Sequence, residues 1–415
     1  SDGNNFLGAI YKHFLQEYDS LGRAEKTWLP ATSKQTFLKP KSYKLLINGA
    51  YDRNDKRPFA QTIYEPSSTL NRTFRQYSPG DAWADHPKQT EYLANTSSDL
   101  LRCSFYYINE YNYLDRQNDY PTGDLNVTKT ADEDGKTTYT FIDKQGHTVL
   151  IRQLNGSEKA DTYSVYDSMG RLRFVLPPMI NDNISLSNLE LYAYEYKYDS
   201  FGRCISKKLP GCSAVSYVYD KSDRIILSQD GNQSLKKEWT FTFYDNIGRE
   251  TLKGLCNLTA KPSLENVIVR AYRTSTENGG VLKSGYEVEN FPYALSSLLQ
   301  ANYYDDYYFT SDIQLAYDHN SKYDFQYINA TYGSISARGL LTGTKVKILG
   351  TDLYLSSAFY YDDKGKIVQS RSQNHKGGYD VEYYSYTFSG KPSAKMCTYQ
   401  VKNGNQYVEE YGYVY

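Results

Sequence analysis

A six-residue pattern recurs along this chain: tyrosine and aspartate, two variable residues, glycine, and then arginine or lysine. Chance would produce far fewer than one copy in 415 residues of this composition, yet five strict copies are present. The pattern therefore indicates an internal structural repeat. The candidate repeat-turn residues are Tyr18, Asp19, Gly22 and Arg23; Tyr166, Asp167, Gly170 and Arg171; Tyr198, Asp199, Gly202 and Arg203; Tyr244, Asp245, Gly248 and Arg249; and Tyr361, Asp362, Gly365 and Lys366.

Each copy has the chemistry of a β-hairpin turn. Alternating aromatic residues, such as Tyr194-x-Tyr196-x-Tyr198, precede it and are typical of an incoming strand. The aspartate can accept a hydrogen bond from the backbone two residues on, and the glycine can adopt the left-handed conformation that closes the turn. We therefore predict positive φ at the five glycines. The following arginine or lysine can pair with the aspartate of its own or a neighbouring turn.

The spacing of the turns predicts how the repeats assemble. Steps between successive turn aspartates run from 21 residues (Asp199 to Asp220) to 32 residues (Asp167 to Asp199). A propeller blade needs more residues than this, whereas one hairpin with its connection fits. Because a single hairpin is marginally stable, neighbours should pair into one long, curved antiparallel sheet. Weaker copies are Tyr51-Asp52-x-x-Asp55-Lys56, Ile142-Asp143-x-x-Gly146-His147, Tyr219-Asp220-x-x-Asp223-Arg224 and Tyr317-Asp318-x-x-Ser321-Lys322.

The regularity of the pattern varies along the chain and suggests four parts. Residues 1–130 form an atypical capping part, and 131–255 are the most regular hairpins. Residues 256–345 form an irregular inserted part of the same sheet, in which Val267–Val269 is predicted as a strand and Tyr293–Gln300 as a short helix. Residues 346–415 return to regular hairpins. The chain begins without methionine and ends in a strand-like Tyr411–Tyr415, so we expect an excised piece that stops in mid-repeat.

Composition excludes several classes of protein. Lys and Arg number 47 against 48 Asp and Glu, so the net charge of −1 lacks the basic footprint of a nucleic-acid binder. No apolar stretch is long enough for a membrane span. Tyrosine is abundant, with 45 copies. Its ring can be buried while its hydroxyl stays in water, which suits half-exposed strands. The fold class we predict is all-β, with repeated antiparallel hairpins forming part of an open shell.

Candidate chemical sites have a simpler structural explanation. The carboxylate pairs Asp305-Asp306 and Asp362-Asp363 could serve a glycosidase, but turn chemistry accounts for them equally well and is favoured. The segment Asp132–Gly135 resembles a calcium loop, yet it lacks the first ligand and the closing glutamate. Five scattered cysteines and five scattered histidines predict neither a zinc site nor a disulfide framework. We therefore expect no enzyme activity, no metal and no cofactor.

The cysteines and the tyrosines each allow two interpretations. Cys204 and Cys212 flank one return strand and could pair, although buried free thiols are favoured. The many tyrosines could form a platform that stacks on sugars, or cross-strand ladders that hold the sheet together. Cross-strand ladders of tyrosine are the favoured interpretation.

The motif copies resemble the YD-repeat family, which comprises bacterial Rhs and wall-associated proteins and the related animal teneurins. The resemblance also takes in Thr62–Gly80 and Tyr139–Pro178, which are similar to the amino-terminal region of large Rhs-type proteins, and Gly339–Gly350 with Tyr360–Gly390, which are similar to their later repeats. It implies a sheet that spirals into a hollow shell. In family members such a shell often encloses a carboxy-terminal toxin or other cargo, or forms part of a surface adhesin.

One feature of self-cleaving family members is missing. Their core ends in a motif that contains Asp-Pro, and none of the 13 prolines here follows an aspartate. No self-cleavage residue is therefore transferred to this sequence.

Two functions follow as hypotheses. The first is a non-catalytic shell or scaffold segment of a larger secreted or bacterial cell-surface protein, whose partners are the rest of its own polypeptide and any enclosed cargo. The second is a surface module that binds carbohydrate or protein through aromatic strand faces. Glycan binding would distinguish the two.

Overall fold

The structure is a computed structural model that describes residues 10–51, 55–66, 70–274, 279–310, 315–319, 322–323 and 337–415. Of these residues, 47% lie in strands and 9% in helices. The described chain forms two compact units. The first contains the residues up to Tyr196 together with Lys208–Cys212, and the second contains Lys197–Lys207 together with the residues from Ser213.

The first unit contains most of the helical residues. Its helices are α1 (Pro40–Ala50) and α2 (Leu186–Tyr192), with 3₁₀ turns at Asp81–Trp83 and Pro178–Ile180. Its strands are β1 (Tyr11–His13), β2 (Gln16–Tyr18), β3 (Ala24–Trp28), β4 (Ala31–Ser33), β5 (Phe59–Tyr64), β6 (Thr73–Tyr77), β7 (Lys88–Ala94), β8 (Ser104–Ile108), β9 (Leu114–Asp119), β10 (Asn126–Ala131), β11 (Thr137–Ile142), β12 (Thr148–Asn155), β13 (Glu158–Tyr166), β14 (Leu172–Leu176) and the start of β15 (Tyr194–Tyr198).

The second unit is built almost entirely of strands. Its helix α3 is Gly231–Lys236, and a 3₁₀ turn lies at Val281–Lys283. Its strands are β16 (Cys204–Lys208), β17 (Val215–Tyr219), β18 (Ile225–Gln229), β19 (Glu238–Tyr244), β20 (Glu250–Asn257), β21 (Arg270–Arg273), β22 (Tyr286–Glu289), β23 (Leu295–Tyr304), β24 (Leu341–Lys347), β25 (Tyr354–Tyr361), β26 (Ile367–Gln373), β27 (Tyr379–Tyr386), β28 (Pro392–Gln400) and β29 (Gln406–Gly412).

A long antiparallel sheet of 23 strands dominates the fold and does not close on itself. In the first unit the order is β2-β3-β5-β6-β7-β10-β11-β12-β13-β14-β15. In the second unit the order continues along the chain from β16 to β20, and then from β23 to β29. The pairs β1–β4, β8–β9 and β21–β22 lie outside this sheet. The prediction of a nearly all-β fold of repeated antiparallel hairpins is confirmed.

Strand β19 shows why the sequence folds this way. Its residues alternate between buried and half-buried, so that Trp239, Phe241 and Phe243 face the core. Gly254 on the neighbouring strand β20 leaves room for this packing, since a Cβ there would stand 2.4 Å from Cζ of Phe241. These residues belong to the hydrophobic core of the second unit, which also includes Tyr303. In the first unit, Phe141 and Leu150 are equally buried in a separate core.

Some details of the prediction are wrong. Residues 293–300 were predicted to be a short helix, but strand β23 occupies Leu295–Tyr304 and pairs on both sides. Two register shifts against β20 disturb its alternation, so the polar and apolar residues no longer follow a strand period. Val267–Val269 is not a strand, because β21 begins only at Arg270. The short helices α1, α2 and α3 were not predicted.

The division of the chain into four parts by regularity of the motif stays a prediction. Among the described residues, no helix has the length and apolar character needed to cross a bilayer.

Candidate functional site

The repeated turns are the candidate site, and all five strict copies share one hydrogen-bond pattern. In the copy at Asp199, the backbone N–H of Asp199 donates to the carbonyl of Arg203 at 3.0 Å, and that of Gly202 donates to the carbonyl of Asp199 at 3.1 Å. Oδ1 of Asp199 accepts from the backbone N–H groups of Phe201 and Arg203, at 3.0 and 2.9 Å. The sequence predicts the hydrogen bond from the N–H two residues after the aspartate. The structure adds a second bond, from the N–H four residues after it.

The glycine closes each turn in the left-handed conformation. The φ angles are 77° at Gly22, 74° at Gly170, 83° at Gly202, 89° at Gly248 and 74° at Gly365. A residue with a Cβ is strained in this region of φ, which explains why glycine stands there.

The arginine at the end of the motif pairs with the aspartate of its own turn. Nε of Arg203 lies 2.7 Å from Oδ2 of Asp199, and the copies at Arg23, Arg171 and Arg249 repeat this contact at 2.6–2.9 Å. Burial opposes ionisation of Asp199, but the side-chain and backbone hydrogen bonds from Arg203 outweigh it and lower the pKa of the carboxyl group. At Asp167, too, hydrogen bonds from the turn outweigh burial and lower the pKa, and at Asp19 the backbone hydrogen bond from Arg23 is the main cause of a lowered pKa.

The motif tyrosine joins one hairpin to the hairpin before it. The hydroxyl of Tyr244 donates to the carbonyl of Ile225, the first residue of β18, at 3.0 Å. Tyr166 and Tyr361 of two further strict copies, and Tyr219 of a weaker one, make the same bond to the first residue of the preceding return strand. Three tyrosines outside the motif copies do so as well. The bonds span 2.5–3.3 Å and join Tyr166 to Thr148, Tyr361 to Leu341, Tyr219 to Cys204, Tyr64 to Ala24, Tyr304 to Glu250 and Tyr386 to Ile367.

The same tyrosine ring lies against the cation of the preceding turn. The guanidinium carbon of Arg224 stands 5.1 Å from the ring centre of Tyr244, and that of Arg249 stands 4.3 Å from the ring centre of Tyr304. Such a contact contributes about 0.5–1 kcal/mol when partly exposed. Sequence reasoning missed this role of tyrosine and arginine, because it depends on which hairpins are neighbours.

The weaker copies differ in how far they follow the pattern. Asp220 repeats all of the turn bonds with Arg224, and Asp223 takes the place of glycine at φ 59°. Asp143 does so with His147 in place of arginine. Asp52 and Ser321, which belong to the other two weaker copies, lie outside the described residues.

Further turns of the same geometry were missed. In the turn 387–391, the hydroxyl oxygen of Thr387 accepts from the backbone N–H of Lys391 at 3.1 Å, and Gly390 has φ 86°. Asn109 and Asn374 also accept from the N–H groups two and four residues on. A search that allowed threonine or asparagine in place of aspartate would have found them.

The carboxylate pairs are used in structural contacts. Asp305 forms a bidentate pair with Arg249, at 3.0 and 2.6 Å, and Asp306 lies 3.2 Å from Arg273. Asp132 accepts from the N–H groups of Asp134 and Lys136, as in the other turns. Within the described ranges, no three His, Cys, Asp or Glu side chains are grouped as a metal ion would require.

The cysteines are free thiols in the structure. Cys204 and Cys212 are not bonded to each other, and Cys212 is exposed. Cys204 is only half-buried, and the expectation of a buried thiol is wrong for Cys212. It lies in the exposed turn that follows β16.

Comparisons with known proteins cover the chain unevenly. Residues 13–96 match a family described as a domain of unknown function, DUF6443. No curated protein matches the chain.

Among solved structures, the chain is similar to that of TcdB2-TccC3-Cdc42, at 12% identity and a TM-score of 0.46, over 95% of this chain and 16% of that chain. It is also similar to a Photorhabdus luminescens Tc holotoxin pore with a TccC3 mutation, at 12% identity and a TM-score of 0.48, over 96% of this chain and 16% of that chain. The TcdB2-TccC3 structure is similar at 11% identity and a TM-score of 0.46, over 96% of this chain and 17% of that chain. The chain therefore spans about a sixth of the length of these proteins.

Proposed function

We propose that the chain is a non-catalytic scaffold segment of a larger YD-repeat protein that is secreted or displayed on a bacterial surface. The observation that carries this proposal is the use of the repeated residues. Aspartate, glycine and arginine complete a turn, and tyrosine fastens that turn to its neighbour. The groups that recur most often in the sequence therefore serve to build a sheet.

A wall built in this way suits the enclosure of another part of the same polypeptide. Consecutive hairpins pair in chain order, so the sheet extends as units are added. The enclosed segment would be a carboxy-terminal cargo, as the YD-repeat resemblance implies.

Limited proteolysis of the natural full-length polypeptide tests this role. We expect this chain and a downstream segment to survive together at a protease dose that digests the urea-unfolded polypeptide, with the fragments identified by mass spectrometry. Asp245→Ala, which removes a turn carboxylate, should make both segments digestible. Asp363→Ala, which changes an exposed turn residue, should leave both protected. Digestion of everything downstream while this chain stays intact would contradict enclosure.

A second candidate function, a binding module, is favoured by one exposed face. Tyr399 and Tyr407 are direct partners on β28 and β29, and Tyr411 lies on the same face. All seven side chains of β29 are exposed. Glycan and protein arrays probed with the chain test this candidate. It predicts a binding signal that is lost in Tyr407→Ser and kept in Phe388→Ser, because Phe388 is exposed on a turn outside this face.

A further inference from the structure

A polar cavity of about 220 Å³ lies within the first unit. Strands β8, β12 and β13 form one side of it, and the 3₁₀ turn Pro178–Ile180 with the next two residues forms another. The volume is below the usual range for drug-sized ligands, so the cavity suits a single small ring.

Arg152 makes the floor of the cavity rigid. Its Nε and Nη2 atoms donate to both oxygens of Asp161, at 2.8 and 2.6 Å. Its Nη1 atom donates to the carbonyls of Asp99, Leu100 and Arg102, at 3.2, 2.8 and 3.0 Å. Every nitrogen of the buried guanidinium thereby has an acceptor, and the bonds from Nη1 hold the loop that precedes β8 in place.

Asp182 stands at the rim in an unusual backbone conformation. Asn181 and Asp182 are consecutive residues with positive φ, 43° and 60°, which non-glycine residues rarely adopt. The hydroxyl of Tyr106 donates to one oxygen of Asp182, and the guanidinium of Arg116 lies 3.6 Å from the other. The carboxylate is held in place while its side chain remains 55% exposed.

The charges around the cavity cancel. Three cations and two carboxylates line it, each with an ion-pair partner within 4 Å, and with those partners included the cations and carboxylates are equal in number. No unpaired charge is therefore left to attract an anion or a cation. The four pairs are Arg102 with Asp119, Arg116 with Asp182, Arg152 with Asp161, and Lys159 with Asp99.

The remaining surface is part apolar and part hydrogen-bonding. Leu176, Pro177 and Ile180 supply an apolar wall, and Tyr106 packs edge-on against Tyr163 at 4.8 Å between ring centres. Burial, followed by the bond to Asp182, raises the pKa of Tyr106, so the hydroxyl stays neutral. Its hydrogen is donated to Asp182, and its oxygen can accept a further hydrogen bond. Carboxylates beside it offer acceptors.

We propose that this cavity binds a neutral sugar through one pyranose ring. A pyranose has an apolar face for the wall and hydroxyl groups that both donate and accept, and it carries no charge that would have to compete with the ion pairs around the cavity. The site is distinct from the tyrosine face of β28 and β29, and it does not depend on the scaffold role.

Saturation-transfer NMR and calorimetry with the whole chain test the proposal. The probes are the methyl glycosides of glucose, galactose, mannose and N-acetylglucosamine, with sulfate and spermidine as charged probes. We expect at least one glycoside to bind and neither charged probe to do so. Absence of binding by every glycoside, or stronger binding of sulfate or spermidine, would overturn the proposal.

Two variants locate the site. Asp182→Asn keeps a side chain that tolerates positive φ but removes the charge, and it should weaken sugar binding about fivefold or more. Asp134→Asn, at an exposed turn, is the matched control and should bind as the wild type does. Unchanged binding in Asp182→Asn would mean that the sugar lies elsewhere, and the assignment would be wrong.

Stability is monitored in parallel by circular dichroism. If Asp182→Asn lowers the melting temperature, Arg102→Gln replaces it, because that side chain is 55% exposed and lines the same cavity. It should also weaken binding of the same glycoside, and unchanged binding would again overturn the assignment. The protease test of the scaffold role is unaffected by either result.

Discussion

The turns 245–249 and 387–391, both in the second unit, share a backbone but not a set of side chains. The first residue donates its N–H to the carbonyl of the fifth at 3.0 Å in one turn and 2.8 Å in the other. Gly248 and Gly390 have φ angles of 89° and 86°. Only the first turn has a carboxylate and an arginine, and that arginine also reaches Asp305 near the next strand.

The difference separates two tasks within one motif. A side-chain acceptor at the first position and a left-handed residue at the fourth are sufficient to form the turn. The aspartate and arginine add an ionic connection that extends beyond the hairpin. Substitutions that affect the ion pair should therefore lower the free energy of unfolding by different amounts at the two turns. Substitutions that do not affect it should lower the free energy by similar amounts.

The largest effect should come from removing the acceptor. Asp245→Ala deletes two backbone bonds and one guanidinium bond, and we expect it to lower the free energy of unfolding by about 2–3 kcal/mol. Thr387→Ala should cost about 1 kcal/mol, because only a neutral hydroxyl is lost. Urea unfolding followed by circular dichroism measures both. Equal losses would show that the ion pair adds nothing.

The next effect concerns the glycine. Gly248→Val should cost about 2 kcal/mol, since a β-branched residue resists positive φ. A Cβ at Gly248 meets no atom within 4 Å, so the loss would come from the backbone alone. Gly248→Asn is the control and should cost less than about 1 kcal/mol, because asparagine tolerates this conformation. Identical urea midpoints for the two variants would argue against a left-handed requirement.

A smaller effect should depend on pH. The hydrogen bond from Arg249 lowers the pKa of Asp305 below its ordinary value of 3.8. Its contribution to stability is therefore complete above that value and is lost as the pH falls through the lowered pKa. Asp305→Asn should be less stable than the wild type at pH 7, and the two should converge as the pH falls below 3.8 and through the lowered pKa. A difference that stays constant with pH would exclude the ionic connection.

The smallest effect should be the same at both turns. Tyr244 and Tyr386, which precede the two turns, each donate one hydroxyl bond to the preceding return strand, at 3.0 and 2.8 Å. Tyr244→Phe and Tyr386→Phe should each cost about 1 kcal/mol. A thermal melt of each variant compares them, and a loss at only one turn would mean that the tyrosine link depends on the ion pair.

The sequence was sufficient for the fold class and the turns, because both depend on local chemistry. Alternation of Trp239, Phe241 and Phe243 indicates a strand, and the pairing of aspartate with glycine indicates a turn. The register shifts at β23 could not be predicted, since they arise from pairing with β20. The bond from Tyr244 to Ile225 was missed for the same reason: its partners are 19 residues apart.

The tyrosine bond also gives the sheet a direction. Because the hydroxyl of Tyr244 bonds to the return strand that begins at Ile225, a hairpin joined in this way is fastened by the hairpin that follows it in the chain. During synthesis, a newly emerged unit would wait for its successor before its turn is secured. Assembly from the amino terminus onward would then be stabilised step by step, because every added unit makes unfolding of the previous unit less favourable.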